Sequence, residues 1–195
     1  MGLKSLIAGS KIGWRKRHYV GSEFSFSEEL ATSNSVLLCL PEGLRELTIV
    51  KPFLPEFADI FAPAEMFLLA SPGSHVANVF PRKGYRIIAP GMNQRTWAGL
   101  PKPGLLRTLH ANKFNLIIDL NLRPNPFMQF VLLDFEDCVK IGVGDNLGEP
   151  FHNVEVRTSY MRDERNIYRS FIETIHQLRN PLPRGFTGQT RLVGF

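Results

Sequence analysis

From Ser35 onward, apolar blocks alternate with polar, helix-spaced segments. "SVLLCL" (35–40) is an unbroken apolar run closed by Pro41, the pattern of a strand buried on both faces. After "PEG", the stretch from Leu44 to Phe61 carries apolar residues at helical spacing, and Pro52 and Pro55 predict a kink or a division within it. "MFLLA" (66–70) predicts a second strand, "HVANVF" a short helix and "YRIIAP" a third strand. A loop rich in Gly, Asn and Pro leads to "LLRTLHANK", a helix starting near Gly104. "FNLIIDL" follows as a fourth strand, "PFMQFVLLDFEDC" as a helix and "VKIGVG" as a fifth strand. "HNVEVRT" suits a sixth strand. "DERNIYRSFIETIHQLR" is the clearest helix, with Ile167, Phe171, Ile175 and Leu178 on one stripe and Asp163 at the N-cap.

Apolar strands alternating with helices predict a single Rossmann-like three-layer α/β domain over residues 35–179, with a mostly parallel sheet of five to six strands. A 195-residue chain with 44% hydrophobic residues and 15 Phe can bury such a core. No apolar run reaches the roughly 18–20 residues of a membrane-spanning helix. Cys39 and Cys138 are far apart, follow apolar residues and read as buried thiols of a cytosolic protein.

Charge changes the picture at the N-terminus. The chain has 23 Lys+Arg and 18 Asp+Glu; removing Lys4, Lys11, Arg15, Lys16 and Arg17 leaves 18 of each sign. The body is therefore neutral, which argues against a nucleic-acid-binding face. The basicity belongs to an N-terminal arm, residues 1–34. Gly2, Gly9 and Gly13 weaken any helix there and favour a loosely packed tail. The alternative is an amphipathic helix on an anionic membrane with Trp14 at headgroup level, placing the protein at the periphery of the inner membrane. A second tail follows at 180–195, where the apolar end "TRLVGF" either pairs with another chain or tucks onto the sheet.

In parallel sheets ligands gather at the carboxyl ends of strands. Glu42 and Glu46 follow the first strand, Asp119 ends the fourth and Asp145 follows the fifth. Asp119 suits a ligand hydroxyl or a cation, and equally suits capping the loop "NLRPNP". Glu46 is either a comfortable helix-start anion or a positioned base. No G-x-G-x-x-G or GK[ST] follows a strand, and "GVGDNLGEP" lacks the helix start that a nucleotide cradle needs. His18, His75, His110, His152 and His176 show no metal-ligand spacing, and no GxSxG occurs. No cofactor and no metal are expected.

The order of segments resembles the N-terminal domain of the bacterial lipopolysaccharide heptosyltransferases, which are GT-B glycosyltransferases. "SVLLCLPEGLRELTIVKPFL" is similar to that family's first strand, turn, helix and Pro-x-Leu, with Pro52, Phe53 and Leu54 at the last of these. "LLRTLHANKFNLIIDLNLRP" resembles its leucine- and arginine-rich helix and the strand ending in Asp-Leu. "CVKIGVG" and "DERNIYRSFIETIHQLR" resemble the next strand and the helix preceding the second domain. The likeness runs over residues 35–179. It implies that Glu46 stands at the family's catalytic Asp, reaching about 1.5 Å further, and that Arg45 stands at its Gly. It also implies that Arg45, Lys51 or Arg123 binds acidic groups of an acceptor. The family's nucleotide-sugar domain would then come from a partner chain or self-association, and the isolated chain is expected to transfer no sugar. The alternatives are a non-catalytic scaffold at the membrane surface or a small Rossmann-like enzyme with an unrelated substrate.

Overall fold

The computed structural model of the chain describes residues 2–21, 26–74, 76–80, 84–143, 147–158 and 163–180. Six strands form one fully parallel sheet: β1 (Ser35–Cys39), β2 (Glu65–Leu69), β3 (Arg86–Ile88), β4 (Leu116–Asp119), β5 (Val139–Val143) and β6 (Val154–Val156). Their spatial order is β3-β2-β1-β4-β5-β6. The chain builds outward from β1 in one direction, then crosses to β4 and builds in the other, so the switch point lies between the ends of β1 and β4.

β1 is buried along its whole length because both sheet faces are covered. Val36, Leu38 and Leu40 point into one core with Leu47, Val50, Phe57, Phe61 and Phe171. These come from α3 (Leu44–Val50), α4 (Leu54–Phe61) and α8 (Glu164–Arg179). Leu37 and Cys39 point into the other with Leu105, Leu109, Val131 and Leu132, from α6 (Pro103–His110) and α7 (Pro126–Asp134), a short helix α5 (Val76–Val79) lying between β2 and β3 in the chain. The prolines act as the sequence predicts. Pro52 lies in a 3-10 turn (Lys51–Phe53) dividing α3 from α4, and Pro55 lies in the first turn of α4, where a missing N–H costs nothing. Asp163 caps α8, its carboxylate accepting from Arg165 N at 3.0 Å and Asn166 N at 3.4 Å. Asn125 does the same for α7 through Phe127 N at 3.0 Å, while its Nδ2 donates to Ser71 Oγ.

One expectation is corrected. The arm is not a loose tail: Leu3–Arg17 form helix α1, which buries Ala8 and Ile12 against the α6–α7 side of the domain. Helix α2 (Phe26–Thr32) follows and places Leu30 in the opposite core. In α1, Gly9 and Gly13 cost about 1 kcal/mol each, but burying Ile12 returns about 1.5–3 kcal/mol. Arg15 adds an ion pair to Asp134 and lies over the Phe130 ring at 4.6 Å. Tertiary contact therefore outweighs local propensity. Among the described residues no helix is long and apolar enough to cross a membrane. Asp145, His75 and the "TRLVGF" end fall outside the described residues.

Candidate functional site

The switch point opens into a cleft of about 220 Å³ lined by Glu42, Gly43, Glu46, Asn121, Arg123, Asn125 and Glu164, among others. Each lining element arrives for a simple reason. β1 ends at Cys39 and Pro41 follows, so the chain leaves the sheet and starts α3 with Gly43 as N-cap. Glu46 then sits in the first turn of α3, where the helix dipole favours its anion. Its carboxylate folds over Gly43: a Cβ there would meet Glu46 Oε2 at 1.9 Å. The β4–α7 loop supplies Asn121, Arg123 and Asn125. Glu164 enters from the first turn of α8, and its Oε2 is sealed from solvent and makes no hydrogen bond, its charge being met by Arg45 Nη2 in an ion pair at 3.3 Å.

Of the residues singled out from the sequence, Glu42, Glu46 and Arg123 line this cleft. Arg45 stands at its edge, exposed and paired with Glu164. Lys51 is exposed on the 3-10 turn and does not line the cleft. Asp119 lies beneath it, 2% exposed, with its Oδ1 taken by Asn121 N at 3.1 Å and Asn121 Nδ2 at 2.7 Å. Below the cleft, the buried Tyr168 hydroxyl donates to Leu120 O at 2.7 Å. Burial, then the charges of Asp119, Glu164 and Glu46, push that phenol well above its usual range and keep it a donor. The cleft is acidic on balance, with Glu42, Glu46 and Glu164 against Arg123.

Asp119 also anchors a buried network that the sequence did not reveal. In the strand register Asp119 faces Gly142 of β5, and Gly142 faces Glu155 of β6. The His152 ring lies over Gly142 and joins the two acids, Nε2 to Asp119 Oδ2 and Nδ1 to Glu155 Oε1, each at 3.2 Å. Carboxylates on both nitrogens favour the imidazolium form of the ring. Burial alone would lower its pKa, but the hydrogen bonds and charges of Asp119 and Glu155 outweigh this and raise it. Glu155 also accepts Gly148 N at 2.7 Å and Leu147 N at 3.3 Å. Its burial favours the neutral acid, yet these bonds and His152 together hold its carboxyl below the usual range. The ring can sit there only because residue 142 has no side chain: a Cβ would come within 2.2 Å of it. A glycine inside a buried strand was the available sequence signal for such an approach. The network ties the ends of β4 and β6 to the loop 147–152, stiffening the floor of the switch point.

A second buried polar group is Lys140 on β5, fully shielded and donating to Tyr19 Oη at 2.6 Å, Pro150 O at 3.1 Å and Leu132 O at 3.3 Å. None of these partners is anionic. Burial lowers its pKa to about 8, against the opposing effects of Cys138 and Glu136. No cluster of metal-ligating side chains occurs among the described residues.

The chain matches no family model and no curated protein sequence. Its fold does match a solved structure, E. coli heptosyltransferase WaaC with ADP, at a TM-score of 0.54 and 13% sequence identity. The match covers 79% of this chain and 49% of that one, so the chain spans about half the length of that protein. The likeness shows a shared α/β fold.

Proposed function

We propose that the chain serves as the acceptor-side lobe of a heptosyltransferase-like system in cell-envelope glycan assembly, holding a polyhydroxylated acceptor in the cleft at the switch point. The observation that carries this reading is the pair of carboxylates, Glu46 and Glu164, lining one cleft at the switch point, with Glu164 Oε2 in an ion pair to exposed Arg45 but in no hydrogen bond. A carboxylate that makes no hydrogen bond accepts one from a sugar hydroxyl once its side chain turns toward the ligand. The acidic balance favours hydroxyls over phosphates, leaving Arg123 as the cleft's own contact for an acidic substituent. The fold likeness to a heptosyltransferase supports the same assignment.

Glu46 is the group placed for chemistry. When a nucleotide-sugar stands opposite, held by a partner chain or a second copy, Glu46 takes the proton of an acceptor hydroxyl. The new bond joins that oxygen to the anomeric carbon as the nucleoside diphosphate departs with the electrons of the broken C–O bond. Calorimetric titration with a heptose-containing core oligosaccharide tests the binding claim. Glu164→Gln should weaken binding by about fivefold to tenfold, the difference between a charge-assisted and a neutral hydrogen bond, whereas Lys51→Gln should leave it unchanged. Absence of binding, or equal loss in both variants, would reject the assignment.

A further inference from the structure

Helix α1 has two apolar faces, and only one is used by the fold. Ala8 and Ile12 are buried against the domain. At about 100° per residue, Leu3, Leu6 and Trp14 fall on the opposite side. They are 68%, 56% and 62% exposed, the most prominent apolar group on one element among the described residues. The charge around this stripe is of one sign. Lys4, Lys11 and Arg17 are exposed on α1, and the first 20 residues contain no acid. Lys16 is turned away, lying over the Phe151 ring at 5.4 Å.

Along the Lys11 flank of α1 lies a cleft of about 390 Å³ shared with α6, α7 and the loop before α6. Its lining includes Lys11, Arg15, Arg107 and His110, with Asp134 as the acid. Arg15 Nη1 is sealed from solvent and has no hydrogen-bond partner, although another nitrogen of the same guanidinium pairs with Asp134. Lys11 and Arg107 on the lining of this cleft, with the Arg15 guanidinium beside them, are suited to a phosphate oxygen.

We propose that α1 docks the domain onto an anionic lipid bilayer. Leu3, Leu6 and Trp14 enter the headgroup–acyl boundary, Lys4, Lys11 and Arg17 meet lipid phosphates, and one headgroup phosphate reaches the Lys11–Arg15–Arg107 cleft. The occupant is a bilayer because the stripe combines exposed Leu and Trp with basic residues free of acids, the composition of a helix lying in an interface. A second copy of the chain would place like charges against each other. The helix is about 22 Å long at 1.5 Å per residue, enough to lie flat on a surface and too short to cross one. This inference is independent of the acceptor-site reading, so either can fail alone.

The test is co-sedimentation of the full chain with vesicles of phosphatidylcholine alone and of phosphatidylcholine mixed with phosphatidylglycerol. Binding is expected only with the anionic lipid and should fall steeply at about 0.5 M salt. Leu6→Glu should weaken it at least tenfold, and Lys4→Gln or Lys11→Gln about fivefold each. Because these side chains are exposed the fold should persist. In the chain carrying Trp97→Phe, a blue shift of Trp14 fluorescence on adding anionic vesicles gives an independent reading. Equal binding to both vesicle types, binding unchanged in Leu6→Glu, or no binding would overturn the proposal. So would lipid-free dimerisation abolished by Leu6→Glu, which would assign the stripe to a second copy.

Discussion

Replacing Gly142 with Ala is the sharpest structural perturbation of the switch-point floor. The new Cβ would stand 2.2 Å from both Cε1 and Nδ1 of His152 and 2.5 Å from Nε2. Carbon contacts settle near 3.5–4.0 Å, so the ring must move by more than about 1 Å. Both of its hydrogen bonds are already 3.2 Å long, and such a shift carries them beyond useful length. The buried imidazolium then loses its carboxylates, and Asp119 Oδ2 loses the His152 donor. Breaking a buried pair costs about 3–5 kcal/mol, a large share of the stability of any single domain. Urea denaturation followed by far-UV circular dichroism measures the loss. Protonation supplies a second signature. The folded pKa of His152 is raised above the ordinary 6.5, so its contribution is fully present below pH 6.5 and is lost as pH rises through the folded value. The deficit of Gly142→Ala should therefore be largest near pH 6 and shrink above it. Gly104→Ala in α6, where nothing lies within 4 Å of the added Cβ, serves as a control and should be neutral or mildly stabilising. A loss below about 1 kcal/mol, or a deficit independent of pH, would refute the bridging role of His152.

Lys140 should make stability rise with pH. Its folded pKa is lowered to about 8 from 10.5, so over that interval the unfolded chain binds the proton more tightly and proton release favours the fold. Between pH 7 and 9 the chain should gain about 1.3 kcal/mol relative to Lys140→Met, by linkage from those two values. Comparison with the variant cancels the opposing effect of Cys39 and Cys138, whose buried thiols have raised pKa values; equal pH slopes in denaturant titrations would contradict it. In α1, Gly9→Ala and Gly13→Ala meet nothing within 4 Å. Each should raise stability by about 0.5–1 kcal/mol, read as a higher melting temperature; a decrease would mean that α1 is not helical at those positions.

The parallel sheet was legible because a strand covered on both faces must be apolar throughout, as "SVLLCL" and "LIID" up to Asp119 are. Asp163 was legible because capping is local, needing only a short polar side chain before an amphipathic run. The packing of α1 was hidden because its buried face amounts to Ala8 and Ile12, too little to stand out beside three glycines. Glu46 and Arg123 could be reached from chain position relative to strand ends. Glu164 could not: a first-turn acid on a charged helix looks solvated until tertiary structure lays it against the β4–α7 loop. The His152 bridge was hidden for a similar reason. It depends on the register that sets Asp119, Gly142 and Glu155 side by side on three strands, and no one-dimensional spacing encodes that. Lys140 was visible as a charge within "VKIGV", but its partner Tyr19 lies 121 positions away.

The acceptor assignment is tested most directly by mapping backbone amide shifts while the labelled chain is titrated with a heptose-containing core oligosaccharide. The expected result is a saturable set of shifts centred on Gly43, Glu46, Asn121, Arg123 and Glu164. Shifts centred instead on the Lys11–Arg107 side, or none at saturating ligand, would contradict it.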